Sequence, residues 1–133
     1  MRIVVDSNRV IASLLKGGAT RRLLFNKDFE FIAPDFIISE ISKYKNYIIK
    51  KVKISSQEFG ILLALFFDNI KVIPKENYKK FIKKLEIEIG DKKDIPYLAV
   101  CLATNSQGIW THDNHFKQQD KIKIFSNMDL LRF

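Results

Sequence analysis

The sequence contains little cysteine, proline or glycine: one, three and five residues respectively, in a chain of 133. A lone cysteine, Cys101, excludes an intramolecular disulfide and a cysteine-built zinc cluster, and this usage favours a cytoplasmic protein. No proline-, glycine- or serine-rich linker and no internal repeat divides the sequence. We therefore expect a single domain over residues 1–133, large enough for an ordinary hydrophobic core.

Long hydrophobic runs are also missing. The longest, at residues 61–67 and 97–103, contain about seven apolar residues each, whereas a membrane-spanning helix needs roughly 18 or more. Near the N-terminus Asp6 interrupts the first apolar stretch, which argues against a secretory signal. We expect no membrane partner and a cytoplasmic location.

Acidic residues are outnumbered, with 15 Asp and Glu against 23 Lys and Arg and a formal net charge of +8. A basic surface attracts phosphate-rich partners, chiefly nucleic acid. A lysine-rich surface that only aids solubility explains the same charge equally well. The net charge by itself does not assign a function.

Apolar patterning predicts strands that alternate with helices. Short apolar runs indicate strands at 3–5, 29–33, 70–73, 109–111 and 121–125. Helical spacing and capping signals indicate helices at 7–16, 76–88 and 95–105, and others that begin near residues 20, 35, 55 and 126. Such alternation is typical of βαβ units, so we predict the α/β class with a mainly parallel sheet covered on both faces.

Four acidic residues occupy positions that ordinary surface chemistry explains poorly. Asp6 follows the first strand, Glu40 lies within an apolar helix, Asp94 precedes another apolar helix, and Asp113 follows the fourth strand. Open parallel sheets bind ligands beyond the carboxyl ends of their strands. Carboxylates that converge there repel one another unless a cation neutralises them, and Mg²⁺ and Mn²⁺ prefer oxygen ligands. Such a site suits phosphodiester hydrolysis by a metal-activated water.

Each acid also has a simpler explanation. Asp94 could cap its helix, where a carboxylate complements the helix dipole, and for this residue alone that reading is the stronger one. Glu40 could contact Lys43 on the helix surface, and Asp6 and Asp113 could be turn residues. All four together, in a basic chain, favour the metal site.

Four short motifs resemble those of the PIN-domain family of metal-dependent nucleases. Val4-Val5-Asp6-Ser7-Asn8 is similar to the opening motif, and Ser39-Glu40-Ile41 to the second. The stretch at 91–99, with Asp91 and Asp94 before an alanine-containing helix, resembles the third, and the stretch at 110–116 resembles the fourth. The motifs occur in the family's order and span nearly the whole chain.

The resemblance implies a three-layer α/β/α sandwich with a central, mainly parallel sheet of about five strands. It also implies that Asp6, Glu40, Asp94 and Asp113 form the catalytic pocket and hold Mg²⁺ or Mn²⁺. Supporting roles follow for Ser7, Asn8, Asp91, Thr111 and His115. His115 stands where many members carry a further aspartate, which leaves open whether a second metal binds.

Basic residues near the proposed acids are candidates for holding an RNA backbone without reading its sequence. These candidates are Arg9, Arg21, Arg22, Lys92, Lys93 and Lys117. Tyr44 and Tyr47 are candidates for stacking on unpaired bases.

Protein partners are suggested by the resemblance as well. Many single-domain relatives are toxins held by an antitoxin protein, and the family often self-associates, so we expect an antitoxin partner and a homodimer. Core packing is the preferred role for most of the 11 phenylalanines, and one apolar set on the helix after residue 55 has a surface for a dimer or a partner helix as its alternative: Phe59, Leu62, Leu63, Phe66 and Phe67.

The predicted function is therefore a Mg²⁺- or Mn²⁺-dependent endoribonuclease, with a toxin role resting on the analogy with the family. One alternative is a PIN-like RNA-binding or scaffold module that is catalytically weak or inactive. Another is a receiver or phosphatase-like domain in which Asp6 accepts a phosphoryl group. The latter is disfavoured, because a haloacid-dehalogenase-type site needs an aspartate at the position of Asn8.

Overall fold

A computed structural model describes residues 1–89 and 93–133 of the chain, and this part contains five strands and eight α-helices. The strands are β1 (Arg2–Val5), β2 (Glu30–Pro34), β3 (Ile70–Ile73), β4 (Ile109–Trp110) and β5 (Ile124–Phe125). The helices are α1 (Ser7–Leu15), α2 (Ala19–Leu24), α3 (Phe36–Lys43), α4 (Lys45–Val52), α5 (Ser56–Phe67), α6 (Lys79–Ile89), α7 (Ile95–Ala103) and α8 (Asn127–Leu131).

All five strands are parallel, in the order β3-β2-β1-β4-β5. The central strand β1 pairs Val4 with Ile32 of β2 on one side and with Ile109 of β4 on the other. Val4 and its two apolar neighbours are fully buried. A continuous apolar run is what a strand covered on both faces requires.

After β3 the chain crosses to the other side of β1. Strands β2 and β3 are added in sequence on one side of β1, and β4 and β5 are added on the opposite side. Because parallel crossovers are right-handed, this change of side puts the early helices on one face and α6 and α7 on the other. The predicted α/β/α sandwich is confirmed. The change of side also creates a switch point between the carboxyl ends of β1 and β4, where such sheets bind ligands.

Two helical segments differ from the sequence prediction. Helix α4 was not predicted, because its stretch is rich in lysine and its core contact is limited to the buried Ile48 and the half-buried Ile49 and Val52. The helix predicted over 76–88 is a 3₁₀ turn at Lys75–Asn77 followed by α6. Tyr78 interrupts the helix: its ring is buried, and its hydroxyl donates to Asp35 Oδ1 at 2.6 Å.

Helix α5 begins as predicted, with a capping box between Ser55 and Glu58. Its apolar residues face the core, as preferred from the sequence. Phe59 and Phe66 are buried, and Leu62, Leu63 and Phe67 are half-buried against the core, so the alternative of a partner surface for this set is wrong. They recur at helical spacing on the side that covers the sheet. The apolar side chains that α5 does expose are Ile61 and Leu65.

The helices within the described part of the chain are short. None of them is long and apolar enough to cross a membrane.

Candidate active site

A cavity of about 420 Å³ opens at the carboxyl ends of β1 and β4. Asp6, Glu40, Asp94 and Asp113, the acids predicted to converge, all line it, and we call this cavity the acidic pocket. Its other lining residues are Ser7, Asn8, Ile11, Ala12, Leu15, Tyr44, Lys93 and Tyr97. The fold therefore brings together side chains that are up to 107 positions apart in the sequence.

Strand pairing explains the position of Asp6. Val5 lies opposite Trp110, so Asp6 and Thr111 are the next residues on two adjacent strands. The Thr111 hydroxyl donates to Asp6 Oδ2 at 2.7 Å and accepts from the backbone N–H of Asp113 at 3.0 Å. It also accepts from the Asn8 side-chain amide at 3.2 Å. Thr111 thus connects three groups of the pocket, more than the supporting role predicted from the resemblance.

The electrostatics of Asp6 set it apart from a surface carboxylate. Its side chain is only 5% exposed, and burial raises its pKa from 3.8 to about 6. The Thr111 hydroxyl and the Ser7 backbone N–H oppose this rise, whereas the negative charges of Glu40 and Asp113 add to it. A positive ion beside Asp6 would relieve this unfavourable field.

Glu40 is held by Tyr97, a residue of the apolar helix α7 for which no polar role was predicted from the sequence. The Tyr97 hydroxyl donates to Glu40 Oε1. Burial and the adjacent carboxylates of Glu40 and Asp6 raise the pKa of Tyr97 well above its ordinary range, so it stays a donor. The signal available in the sequence was a tyrosine three residues after Asp94, because a buried tyrosine hydroxyl needs a polar partner.

Asp94 and Asp113 enter the acidic pocket from different elements. Asp94 is buried and directly precedes α7. Asp113 precedes a 3₁₀ turn at Asn114–Gln118, and its Oδ1 accepts from the backbone N–H of His115 at 3.0 Å. The exposed His115 also places Nδ1 3.2 Å from that oxygen. His115 therefore lies beside one of the four acids, which fits its predicted supporting position.

Three of the predicted substrate-binding cations lie close to these acids. Lys93 lines the acidic pocket, and Lys117 lines an adjoining cavity together with Thr111 and Asp113. Arg9 is half-buried and donates to Asn8 Oδ1 at 3.0 Å. Burial lowers the pKa of Arg9, an effect that the charge of Asp6 opposes.

Arg21 has a structural position instead. Its guanidinium donates to the backbone carbonyls of Ser13 and Leu14 at the end of α1 and lies 5.4 Å from the centre of the Phe66 ring. We therefore do not include it among the proposed substrate contacts. Arg22 is exposed on α2. Asp91 and Lys92 lie outside the described residues.

The chemistry of the acidic pocket fits a hard divalent cation. Its polar lining offers carboxylate and hydroxyl oxygens, which Mg²⁺ and Mn²⁺ prefer. Among the residues that the structure describes, no three or more His, Cys, Asp and Glu side chains form a ready-made metal cluster. The fit of a divalent cation to this pocket therefore rests on its oxygen donors and on the negative charges around Asp6.

Fold and pocket together define an α/β protein with a carboxylate-lined cleft at the switch point of a parallel sheet. The PIN domain model matches residues 4–124, and the chain belongs to the PIN-domain family. Among solved structures, a chain of VapBC2 from Rickettsia felis, bound to a DNA fragment from their promoter, has a similar fold. The TM-score is 0.67 at 16% sequence identity, and the match covers 95% of this chain and 98% of that one. No curated protein matches the sequence significantly.

Proposed function

We propose that this protein is an endoribonuclease that requires Mg²⁺ or Mn²⁺. The observation that carries the proposal is the lining of one cavity by Asp6, Glu40, Asp94 and Asp113 at the β1–β4 switch point. Membership of the PIN-domain family supports a nuclease. The basic composition, with a net charge of +8, supports a polyanionic substrate.

The mechanism we propose needs no nucleophile from the protein. The four acids would hold the ion, which when bound lowers the pKa of a water and neutralises charge on the phosphate. Thr111 fixes the Asp6 carboxylate through Oδ2, and Tyr97 fixes Glu40 through Oε1. These contacts restrict the rotamers of both carboxylates, so their oxygens are oriented before substrate binds.

Substrate contacts would come from the rim of the acidic pocket. Lys93 in the pocket, Lys117 in the adjoining cavity and Arg9, which donates to Asn8 of the pocket lining, would provide positive charge for the phosphates on either side of the cleaved bond. Tyr44 lines the pocket and is 51% exposed, and Tyr47 lies three residues further on and is 55% exposed. Exposed aromatic rings of this kind stack on unpaired bases, which favours single-stranded RNA.

The test is cleavage of a labelled single-stranded RNA in Mg²⁺, in Mn²⁺ and in EDTA. We expect cleavage only with a divalent ion, and at least a ~100-fold loss of rate in Asp6→Asn and Asp94→Asn, as for removal of a principal charge-stabilising group. Asp68→Asn makes the same chemical change at an exposed site at the end of α5 and should leave the rate unchanged.

The second candidate is a PIN-like module that binds RNA without cutting it. It is favoured by the absence of a three-residue metal cluster within the described ranges 1–89 and 93–133. Tight, salt-dependent RNA binding with no cleavage in either ion would select this module over the nuclease.

For the biological role we propose a toxin that acts on RNA in the cytoplasm and is neutralised by an antitoxin protein. The support is the likeness in fold to a chain of VapBC2. Induced expression of this chain should arrest growth, and co-expression of a small adjacent reading frame should relieve the arrest. Growth arrest by Asp6→Asn equal to that by the wild type would contradict a role for the nuclease site.

We also propose that the protein is a homodimer through the exposed apolar residues of α5, Ile61 and Leu65. They lie four positions apart and are 59% and 53% exposed, so they present one face of the helix. Sedimentation should show a dimer that Leu65→Lys dissociates. The control Ile87→Lys, at an 88%-exposed position on α6, should leave the dimer intact. A monomeric wild type would overturn this proposal alone.

A further inference from the structure

A second cavity, of about 480 Å³, lies beside the acidic pocket and takes no part in the function proposed so far. We call it the α3–α6 cavity. It opens at the carboxyl ends of β2 and β3, because Asp35 directly follows β2 and Lys75 comes two residues after β3. Its lining includes Asp35, Phe36, Lys75, Tyr78, Ile82 and Pro96. The cavity therefore lies on the ligand-binding edge of the sheet.

The two cavities share a wall. Phe36 and Glu40 are one turn apart on the same face of α3, with Phe36 in the α3–α6 cavity and Glu40 in the acidic pocket. The Phe36 ring centre is 6.4 Å from that of Tyr97, whose hydroxyl donates to Glu40. On α7, Pro96 lines the α3–α6 cavity and Tyr97 the acidic pocket. A polymer bound at the acidic pocket thus has an adjacent cavity within reach.

The lining of the α3–α6 cavity combines apolar walls with fixed polar atoms. Phe36, Ile82 and Pro96 are half-buried and offer apolar surface. The Asp35 carboxylate is held in place by the Tyr78 hydroxyl at 2.6 Å and by the Lys75 backbone N–H at 3.1 Å. The exposed side chains of Lys75 and Glu86 also line the cavity and give it one cation and a second carboxylate.

A nucleobase matches this combination. Its faces are apolar enough to pack on a ring or an aliphatic side chain, and its edge carries N–H groups that donate hydrogen bonds to a carboxylate. The ribose and phosphate of the same nucleotide stay outside, where an exposed lysine provides positive charge. Ligand sites commonly show this pattern of apolar walls with a few polar groups that set orientation.

We propose that the α3–α6 cavity binds one unpaired base of the RNA substrate, next to the bond cut in the acidic pocket. The proposal rests on the proposed ribonuclease function. It adds to that function a base-binding subsite, which makes the choice of cleavage site depend on an unpaired nucleotide at a fixed distance from the cut.

The test fills the α3–α6 cavity without touching the acids. Ile82 lies on α6, and Ile82→Trp places an indole where the base would bind. We expect kcat/KM for a short single-stranded RNA to fall by about 10-fold or more, the loss typical of one stacked base. The control Ile87→Trp makes the same change on the same helix at an 88%-exposed position and should have no effect.

A second measurement identifies the ligand as a base. RNAs that carry an abasic site at one position at a time are compared in the wild type and in Ile82→Trp. Removing the base at one position next to the cut should lower the wild-type rate by the same factor as the Ile82→Trp substitution does. Combining the two changes should lower the rate no further.

The outcomes separate this proposal from the one on which it rests. If the wild type cleaves RNA but Ile82→Trp matches Ile87→Trp, or if the abasic effect adds in full, the base subsite is refuted and the nuclease stands. If the wild type cleaves no RNA, the proposed function itself fails. In that case the same comparison in an RNA-binding assay tests the cavity: equal affinity of both tryptophan variants refutes it, and weaker binding by Ile82→Trp alone supports it.

Discussion

The Thr111 hydroxyl lies 2.7 Å from Asp6 Oδ2, although the two residues are 105 positions apart in the chain. They meet because each is the residue after its strand, and β1 and β4 end side by side at the switch point of the sheet. The hydroxyl also accepts from the backbone N–H of Asp113. One threonine therefore connects the acids that follow both central strands.

Thr111→Val should raise the pKa of Asp6. The hydroxyl lowers the pKa of Asp6, so in the metal-free protein its removal should raise that pKa above 6, as an NMR titration of the carboxyl group in EDTA would show. The Asn8 amide and the Asp113 N–H also lose their acceptor, so we expect a loss of about 1–3 kcal/mol in the free energy of unfolding. Thr111→Ser keeps the hydroxyl and should restore both properties. An unshifted pKa of Asp6 in the metal-free valine variant would count against the role assigned to this contact.

The sequence allowed the sheet and the four acids to be predicted, for a physical reason. A strand such as β1, covered on both faces, must be apolar throughout, so a carboxylate directly after it is conspicuous. Because the carboxyl ends of parallel strands share one edge of the sheet, the acids that follow the first and fourth strands are expected at that edge. That β1 and β4 are neighbours was not predicted. A single hydrogen bond from a side chain leaves no comparable pattern in the sequence.

Tyr97 and Arg21 show what could not be predicted from the sequence. The apolar period of α7 accounts for a buried Tyr97, and only packing against α3 determines that its hydroxyl meets Glu40. Arg21 is of a residue type that commonly binds phosphate, but its guanidinium donates instead to the free backbone carbonyls at the end of α1. Helix α4 was missed because its stretch is rich in lysine and only Ile48 in it is fully buried, with Ile49 and Val52 half-buried against the core.

Without divalent ions, the contribution of Asp6 to the free energy of unfolding should fall as pH rises from about 4 to above 6. The pKa of Asp6 is about 6 in the folded protein and 3.8 as the ordinary value, so over that interval the folded state binds more protons than the unfolded state. The full cost, above pH 6, is about 3 kcal/mol. Asp6→Asn removes the titration, so it should exceed the wild type in stability at pH 8 and match it at pH 4.

Urea denaturation in EDTA at the two pH values measures this difference. Asp68→Asn, at an exposed position, should follow the wild type at both. An Asp6→Asn variant that is less stable than the wild type at pH 8 would refute the assigned ionisation cost.

Added Mg²⁺ or Mn²⁺ should stabilise the wild type at pH 8. An ion that binds only the folded state at 100 times its dissociation constant adds about 2.7 kcal/mol to the free energy of unfolding. Asp6→Asn and Asp94→Asn each remove a charged oxygen from the proposed metal site and should lose most of this gain, whereas Asp68→Asn should keep it. Thermal melts with and without the ion give the comparison without an activity assay. An equal gain in all four proteins would place the ion elsewhere.

Tyr97→Phe should weaken metal binding and catalysis while the fold persists. The substitution keeps the ring against Phe36 and removes the hydroxyl that fixes Glu40. Loss of a group that orients a metal ligand typically costs about 10–100-fold in metal affinity or activity. We expect the concentration of Mn²⁺ at half-maximal rate to rise, with a smaller change in the KM for RNA. A change in the KM alone would mean that Tyr97 contacts substrate instead.

Gly108→Ala should destabilise the pairing of β5 with β4, the strand that Thr111 and Asp113 follow. A Cβ at Gly108 would lie 2.4 Å from the Lys123 carbonyl oxygen and 2.6 Å from the Phe125 ring, so β4 and β5 would have to separate. Overpacking of this kind costs about 1–3 kcal/mol. The matched control is Gly60→Ala within α5, where a Cβ meets nothing within 4 Å. There alanine should stabilise the helix by about 0.5–1 kcal/mol. Opposite signs in urea denaturation, with reduced RNA cleavage only in Gly108→Ala, would show that close β4–β5 packing supports the acidic pocket.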